Sequence, residues 1–233
     1  MLKFDEIAPA MTARMEAELA HQRECEAESC ERCGKYPSPA PQTAEERRAA
    51  LVRMWAGRAL ATLPPAFDKA TIDAPWLETL VGESNVARAR EALGAPRVAF
   101  VGPPGSGKTS LAVAMFRAAI ERGQPDAFRR AEHRYVSAHA LAKARAAHPL
   151  GEGEAPLVAA ALRAPLLVLD ELGGEDSRHA SAVAEVIYER HAEGVPTWIT
   201  TGVTPKDLAT RYGGGIARRV FEDAVVFRLA GRK

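Results

Sequence analysis

The residues with the most concentrated chemistry lie between 102 and 110. Gly102, Pro103, Pro104, Gly105, Ser106, Gly107, Lys108 and Thr109 fit the spacing G-x-x-x-x-G-K-[ST], and Ser110 follows. Glycines at these places let the backbone curl so that successive N–H groups face phosphate oxygens, and the helix beyond adds its positive end. Lys108 is expected to reach the β- and γ-phosphates and the Thr109 hydroxyl to ligate Mg²⁺. A second element, Leu166 to Glu171, is a run of four apolar residues ending in Asp170 and Glu171. Asp170 is expected to hold Mg²⁺ through a water, and Glu171 to orient or deprotonate an attacking water. Together the two elements predict a nucleoside triphosphate site, and the acidic pair favours hydrolysis over transfer to a small molecule.

Two weaker signals follow. The strand PTWITTG carries Thr200 and Thr201, either of which could hydrogen-bond water and γ-phosphate, although β-branched threonine also belongs in strands for ordinary reasons. After the triple glycine at 213–215, Arg218 and Arg219 open a short helix suited to presenting a guanidinium to developing phosphoryl charge, often across a subunit boundary. Solvated arginines or DNA phosphate contacts fit those two residues as well. Near the start, His21 and Cys25 are four apart, on one helix face, and Cys30-Glu31-Arg32-Cys33-Gly34 is a C-x-x-C-G knuckle. These four side chains could form a tetrahedral Cys₃His zinc site; three reduced thiols beside an unrelated histidine are the alternative.

The elements that must position these groups are legible in outline. Residues 1–35 have apolar positions at helical intervals, and YPSPAPQ (36–42) is a proline-rich connector. Thr43 and Glu46 fit a capping box opening a helix that Pro64 and Pro65 end. Residues 76–93 suggest one further helical stretch. From Arg97 strand and helix alternate: strands at 97–101, 134–137, 165–169, 197–201 and 225–229, helices at about 107–122, 138–147, 155–163, 177–193 and 205–212, then the helix with the two arginines. Such alternation predicts an α/β fold with a parallel sheet covered by helices on both faces. The expected organisation is an N-terminal region 1–42, a helical linker 43–96 and a core 97–233.

Composition constrains the rest. The 233 residues are 47% hydrophobic and 26% charged, with a formal net charge of +1, so any basic surface must be local. No apolar run approaches the roughly 18 residues of a membrane helix. Asp5 and Glu6 stand where a signal peptide has its basic and apolar runs. Three clustered cysteines do not suggest a disulfide framework. A cytoplasmic location is expected.

With these elements in place, the chain resembles the AAA+ ATPases, and within them the bacterial DnaC/IstB-like branch of helicase loaders and transposition helpers. The matching stretches are GPPGSGKT (102–109), LLVLDELGGED (166–176), IYERHAEGVPTWITTG (187–202) and LATRYGGGIARRVFED (208–223), with LPPAFDKATID (63–73) similar to the family's linker near the adenine. The resemblance implies a P-loop NTPase fold of AAA+ type without a separate helical lid, and ATP and Mg²⁺ as ligands. It implies Lys108 and Thr109 as nucleotide and metal contacts, Asp170 as the metal-binding acid and Glu171 as the catalytic one. A sensor position falls at Thr200 to Gly202, where relatives commonly end in a Thr-Ser-Asn-like sequence. Arg219 aligns with the arginine finger, Arg218 being the alternative, and Arg232 with a second-sensor arginine.

What the resemblance implies about function is ATP-dependent assembly into an arc or ring, with a replicative helicase as the partner, or a transposase in the helper reading. The N-terminal region is expected to grip that partner; Glu24, Glu26, Glu28 and Glu31 make it acidic, which suits a protein better than a phosphate backbone. Single-stranded DNA is expected at basic residues of the core such as Arg129, Arg130 and Arg134. A small-molecule kinase would need an acceptor site and an arginine-bearing lid, and a switch that only binds ATP would have no use for Glu171.

Overall fold

A computed structural model describes residues 43–122, 132–149 and 151–231. The chain divides into two compact units, Met1–Arg48 and Ala49–Lys233, and nearly all the described residues belong to the second. Among the described residues no helix is long and apolar enough to cross a membrane.

Five parallel strands form the centre of the second unit: β1 (Arg97–Val101), β2 (Arg134–Ser137), β3 (Leu167–Leu172), β4 (Thr197–Thr201) and β5 (Val225–Arg228), in the order β2-β3-β4-β1-β5. Their near-continuous apolar runs suit a sheet covered on both faces. Alternation along each strand splits the core in two. Val98, Phe100, Val168, Trp198 and Phe227 face one layer, and Leu167, Leu169 and Ile199 face the other.

The first layer holds α1 (Ala44–Leu60), α2 (Pro75–Val81), α3 (Glu83–Glu91) and α4 (Lys108–Glu121), the last buried along most of its length. The expected single helix over 76–93 is two helices, because Gly82 takes φ +90° between them. The end of α1 is tied to the edge strand: Thr62 Oγ1 accepts the Tyr135 N–H at 2.9 Å.

The second layer holds α5 (Ala138–Ala147), α6 (Pro156–Arg163), α7 (Ala180–Ala192), α8 (Pro205–Tyr212) and α9 (Gly214–Phe221). Of the three glycines expected to break the chain, only Gly213, at φ +86°, does so; Gly214 and Gly215 already belong to α9. Arg190 of α7 is fully buried and staples this layer. It donates to the carbonyls of Ala161, Leu162, Ala164 and Pro196 and to Thr197 Oγ1, fixing the end of α6 to the start of β4. Burial pulls its pKa down to about 10, and five polar partners compensate for the desolvated charge.

Candidate functional site

The carboxyl ends of β1, β3 and β4 converge on one cleft, where open parallel sheets place ligands. The loop Gly102 to Gly107 leaves β1 and enters α4. Its glycines are sterically required at two places. Gly107 has φ +86°, and a Cβ there would come within 2.6 Å of Val81 Cγ1; a Cβ at Gly102 would stand 2.3 Å from the Leu229 carbonyl. The Lys108 ammonium folds back over the loop to Pro103 O at 2.8 Å. Burial holds its pKa below the ordinary lysine value, against the raising effect of Asp170 and Glu171. Pro104, Gly105, Gly107, Thr109 and Ser110 line a cleft of about 500 Å³ together with Glu171, Phe67 and Leu80. Ser106 Oγ is buried in the loop with no partner among the described residues.

Asp170 is held by three hydroxyls. Thr109 Oγ1 donates to its Oδ1 at 3.0 Å, Thr200 Oγ1 to the same oxygen at 2.5 Å, and Tyr135 Oη to Oδ2 at 2.5 Å. Burial and the neighbouring carboxylate push the Tyr135 pKa upward, so the phenol stays a donor. A threonine hydroxyl whose proton is on Asp170 keeps its lone pairs for a cation. Thr109 and Asp170 thus present hard oxygen ligands of the kind Mg²⁺ takes beside phosphates. The fit is good: these two residues would hold Mg²⁺, which would offset the triphosphate's charge.

Glu171 is set differently. Between Leu169 and Leu172 the β3–β4 register slips by one residue, a bulge that re-aims a side chain. Glu171 takes φ 55°, left-handed backbone unusual for a residue other than glycine, and is exposed in the cleft. Its N–H is held by Thr200 Oγ1 at 2.9 Å and its carbonyl by Gly174 N at 2.9 Å.

Neither Thr200 nor Thr201 lines the cleft. Both are fully buried. Thr200 stands behind the acids, and Thr201 bonds the Leu172 carbonyl and the Val203 N–H. Gly202 is the residue of that strand end that lines the cleft.

Arg219 is elsewhere. Its guanidinium lies 4.5 Å over the Tyr188 ring, donates to Gly215 O at 2.9 Å, and sits beside Arg97 and Thr197, the first residues of β1 and β4. Lys108 and Asp170 are at the other ends of the strands, roughly 13 Å away for a five-residue strand. Arg218 is exposed and pairs with Glu222 at 2.6 Å. Arg134 lies on β2, 3.7 Å from Glu132. Arg129, Arg130, Arg232 and the proposed zinc ligands His21, Cys25, Cys30 and Cys33 lie outside the described residues. Among the described residues no group of three or more His, Cys, Asp or Glu side chains could hold a metal.

Tyr135 and Glu175 were missed by the motif-based reading. Tyr135 looks like an ordinary strand residue, whereas Glu175, inside LGGED, could have been noticed as a charge in a glycine-rich turn directly after the acidic pair.

The family described as IstB-like ATP binding protein matches residues 58–213. The chain belongs to that family. No curated protein matches this IstB-like chain in sequence. Among solved structures, it is similar to the DnaC helicase loader, at 24% identity and TM-score 0.57, over 71% of this chain and 99% of that one. DnaI matches at 16% identity and TM-score 0.51, over 77% of this chain and 92% of that one. The replication initiator DnaA bound to AMPPCP and single-stranded DNA matches at 20% identity and TM-score 0.53, over 70% of this chain and 50% of that one. At these identities the likeness is one of fold, the P-loop AAA+ sheet with its helices.

Proposed function

We propose that this IstB-like protein hydrolyses ATP with Mg²⁺ as part of a self-assembling loader that delivers a replicative helicase in DNA replication. The observation that carries hydrolysis is the bulged, left-handed Glu171, exposed in the cleft beside Lys108 and Thr109. A protein that only bound ATP would gain nothing from a strained acid there. Lys108 and the loop amides bind the phosphates, Thr109 and Asp170 hold the metal, and Glu171 accepts the proton of the attacking water. Arg219, a strand length from its own cleft, serves the site of a neighbouring subunit. Single-stranded DNA binding at the core's basic residues is part of the same reading, as are Arg232 as a nucleotide contact and zinc at His21, Cys25, Cys30 and Cys33 in the partner-gripping region.

The helicase as cargo is supported by the likeness to DnaC over nearly all of that chain. The family description, IstB-like, favours a second reading, a transposition helper that targets a transposase.

Glu171→Gln tests hydrolysis: nucleotide affinity should be kept and phosphate release lost, and turnover at the normal rate would exclude Glu171 as the base. The trans arginine is tested by mixing Lys108→Ala with Arg219→Ala subunits, each inactive alone; activity should return, and a silent mixture would sink the shared site. Co-purification of the full chain with a hexameric helicase or with a transposase decides between loader and helper.

A further inference from the structure

Directly after Glu171 the chain makes a tight loop, Leu172 to Glu175, whose last side chain turns inward. The Glu175 carboxylate has no solvent exposure. Its Oε2 accepts the Gly173 N–H at 3.2 Å. Its Oε1 accepts Arg211 Nε and Nη2, both at 3.1 Å, and the Tyr212 hydroxyl. Arg211 also donates to the Glu175 carbonyl. The loop is pressed onto the start of the β4–α8 connection as well, since a Cβ on Gly173 would come within 2.5 Å of Val203 Cγ2.

Arg211 and Tyr212 are the last two residues of α8. One residue, Gly213, separates them from α9, which carries Arg219. The other end of the clamp is one hydrogen bond from the catalytic acid, because Gly174 N donates to Glu171 O. Glu171 and Arg219 are thus borne by one hydrogen-bonded body, although they face opposite ends of the sheet. A buried carboxylate with both oxygens hydrogen-bonded makes such a body stiff, because slipping any partner leaves a desolvated charge.

We propose that Glu175 is a positioning residue that serves two neighbouring ATP sites: it locks the Glu171 loop to α8–α9, and so holds both the acid of its own site and the arginine offered to the next subunit. The role at the next site rests on Arg219 acting in trans. The positioning of Glu171 does not.

The test uses full chains in mixed assemblies. Lys108→Ala subunits present an arginine but hold no nucleotide, and Arg219→Ala subunits hold nucleotide but present no arginine; their mixture sets the reference rate. Glu175→Gln added to the Lys108→Ala subunit, whose own site is empty, should cut the restored rate about tenfold, in the usual range of coupling between sites. Added to the Arg219→Ala subunit it should lower kcat by a similar factor, leaving nucleotide affinity within about twofold. Tyr212→Phe removes one hydroxyl and leaves the Arg211 pair. It should act in the same direction on both sides by about threefold, and unchanged thermal midpoints exclude unfolding as the cause.

Loss confined to the Arg219→Ala subunit would show that Glu175 serves its own site alone and would overturn the role at the next one. Full rates on both sides would overturn the positioning role too. If the reference mixture itself stays silent, the trans arginine falls, and the mechanical link is read from amide exchange across residues 214–221. That exchange should be faster in Glu175→Gln than in the wild type; equal exchange in the two overturns the link.

Discussion

Thr200→Val separates two roles that a threonine beside a phosphate site can have. The substitution keeps shape and burial and removes one oxygen. That oxygen donates to Asp170 at 2.5 Å and accepts the Glu171 N–H at 2.9 Å. A hydrogen bond to a charged group contributes roughly 1.5–3 kcal/mol, and Asp170 keeps two other hydroxyl donors, so the fold should lose about 2 kcal/mol and survive. Glu171 is more sensitive. Its left-handed backbone costs on the order of 1–3 kcal/mol and persists only while its surroundings hold it. Removing an N–H acceptor worth about 1.4 kcal/mol would shift the loop away from the bulged geometry tenfold, since that energy is one decade in a population or a rate. Steady-state phosphate release should therefore fall about tenfold in kcat, while the affinity for a fluorescent ATP analogue stays within about twofold. Thr200→Ser, which keeps the hydroxyl, should recover most of the rate. The reasoning is refuted if Thr200→Val turns over normally, or if it loses affinity in proportion to rate, which would mean that the hydroxyl touches nucleotide after all.

Gly107→Ala places a Cβ against Val81 at a backbone angle of +86°; nucleotide affinity should drop by at least about tenfold, as expected where native φ excludes a side chain, measured by titration with a fluorescent analogue. Arg190→Met strips four carbonyls and Thr197 of their donor and should cost about 3–5 kcal/mol in a urea melt, the range for breaking buried charged networks; a loss below about 1 kcal/mol would mean that water replaces the guanidinium freely. Metal analysis of the full protein should find one zinc per chain, lost together in Cys30→Ser and Cys33→Ser; substoichiometric metal in fresh wild-type protein would remove the zinc reading. Specific ATPase activity should fall on dilution in step with dissociation seen by light scattering, and a flat profile across dissociation would mean that each subunit hydrolyses alone.

Much of the frame was legible because its signals are local. The bounds of β2, α5, β4 and α8 agree with the apolar runs and with the proline at the start of α8, and in the structure Ser137 and Thr204 cap the two helices. The phosphate loop is legible for the same reason: its steric demands are met within eight consecutive residues. What escaped depends on partners far along the chain. The strand at 165–169 in fact begins at Leu167 and runs on to Leu172, because the bulge that presents Glu171 is created by pairing with β4. Thr200 and Thr201 were both candidates to face the ligand, because strand alternation alone does not tell which face a bulged neighbour leaves open. Glu175 and Arg190 carry no local signal of burial, since the decisive partners are distant: Arg211 is 36 residues from Glu175 and Ala164 is 26 from Arg190.

The charge arrangement explains why such a site would wait for a neighbour. Glu171 lines the cleft to which Lys108 contributes its ammonium, and Asp170 and Glu171 share a second cavity with Arg134. A triphosphate brings several negative charges to these two carboxylates, and Mg²⁺ with Lys108 offsets enough of them for binding. The transition state for phosphoryl transfer spreads charge onto oxygens that neither cation covers, and a positioned arginine there accelerates the reaction by about 10³–10⁵-fold. The chain's own Arg219 lies past the opposite ends of the strands, stacked on Tyr188. No rotamer change carries a guanidinium along the length of a buried strand, so Arg219 can offer its charge only to the site of another molecule. Binding would then be a property of one chain and hydrolysis a property of two, which makes turnover a report of assembly.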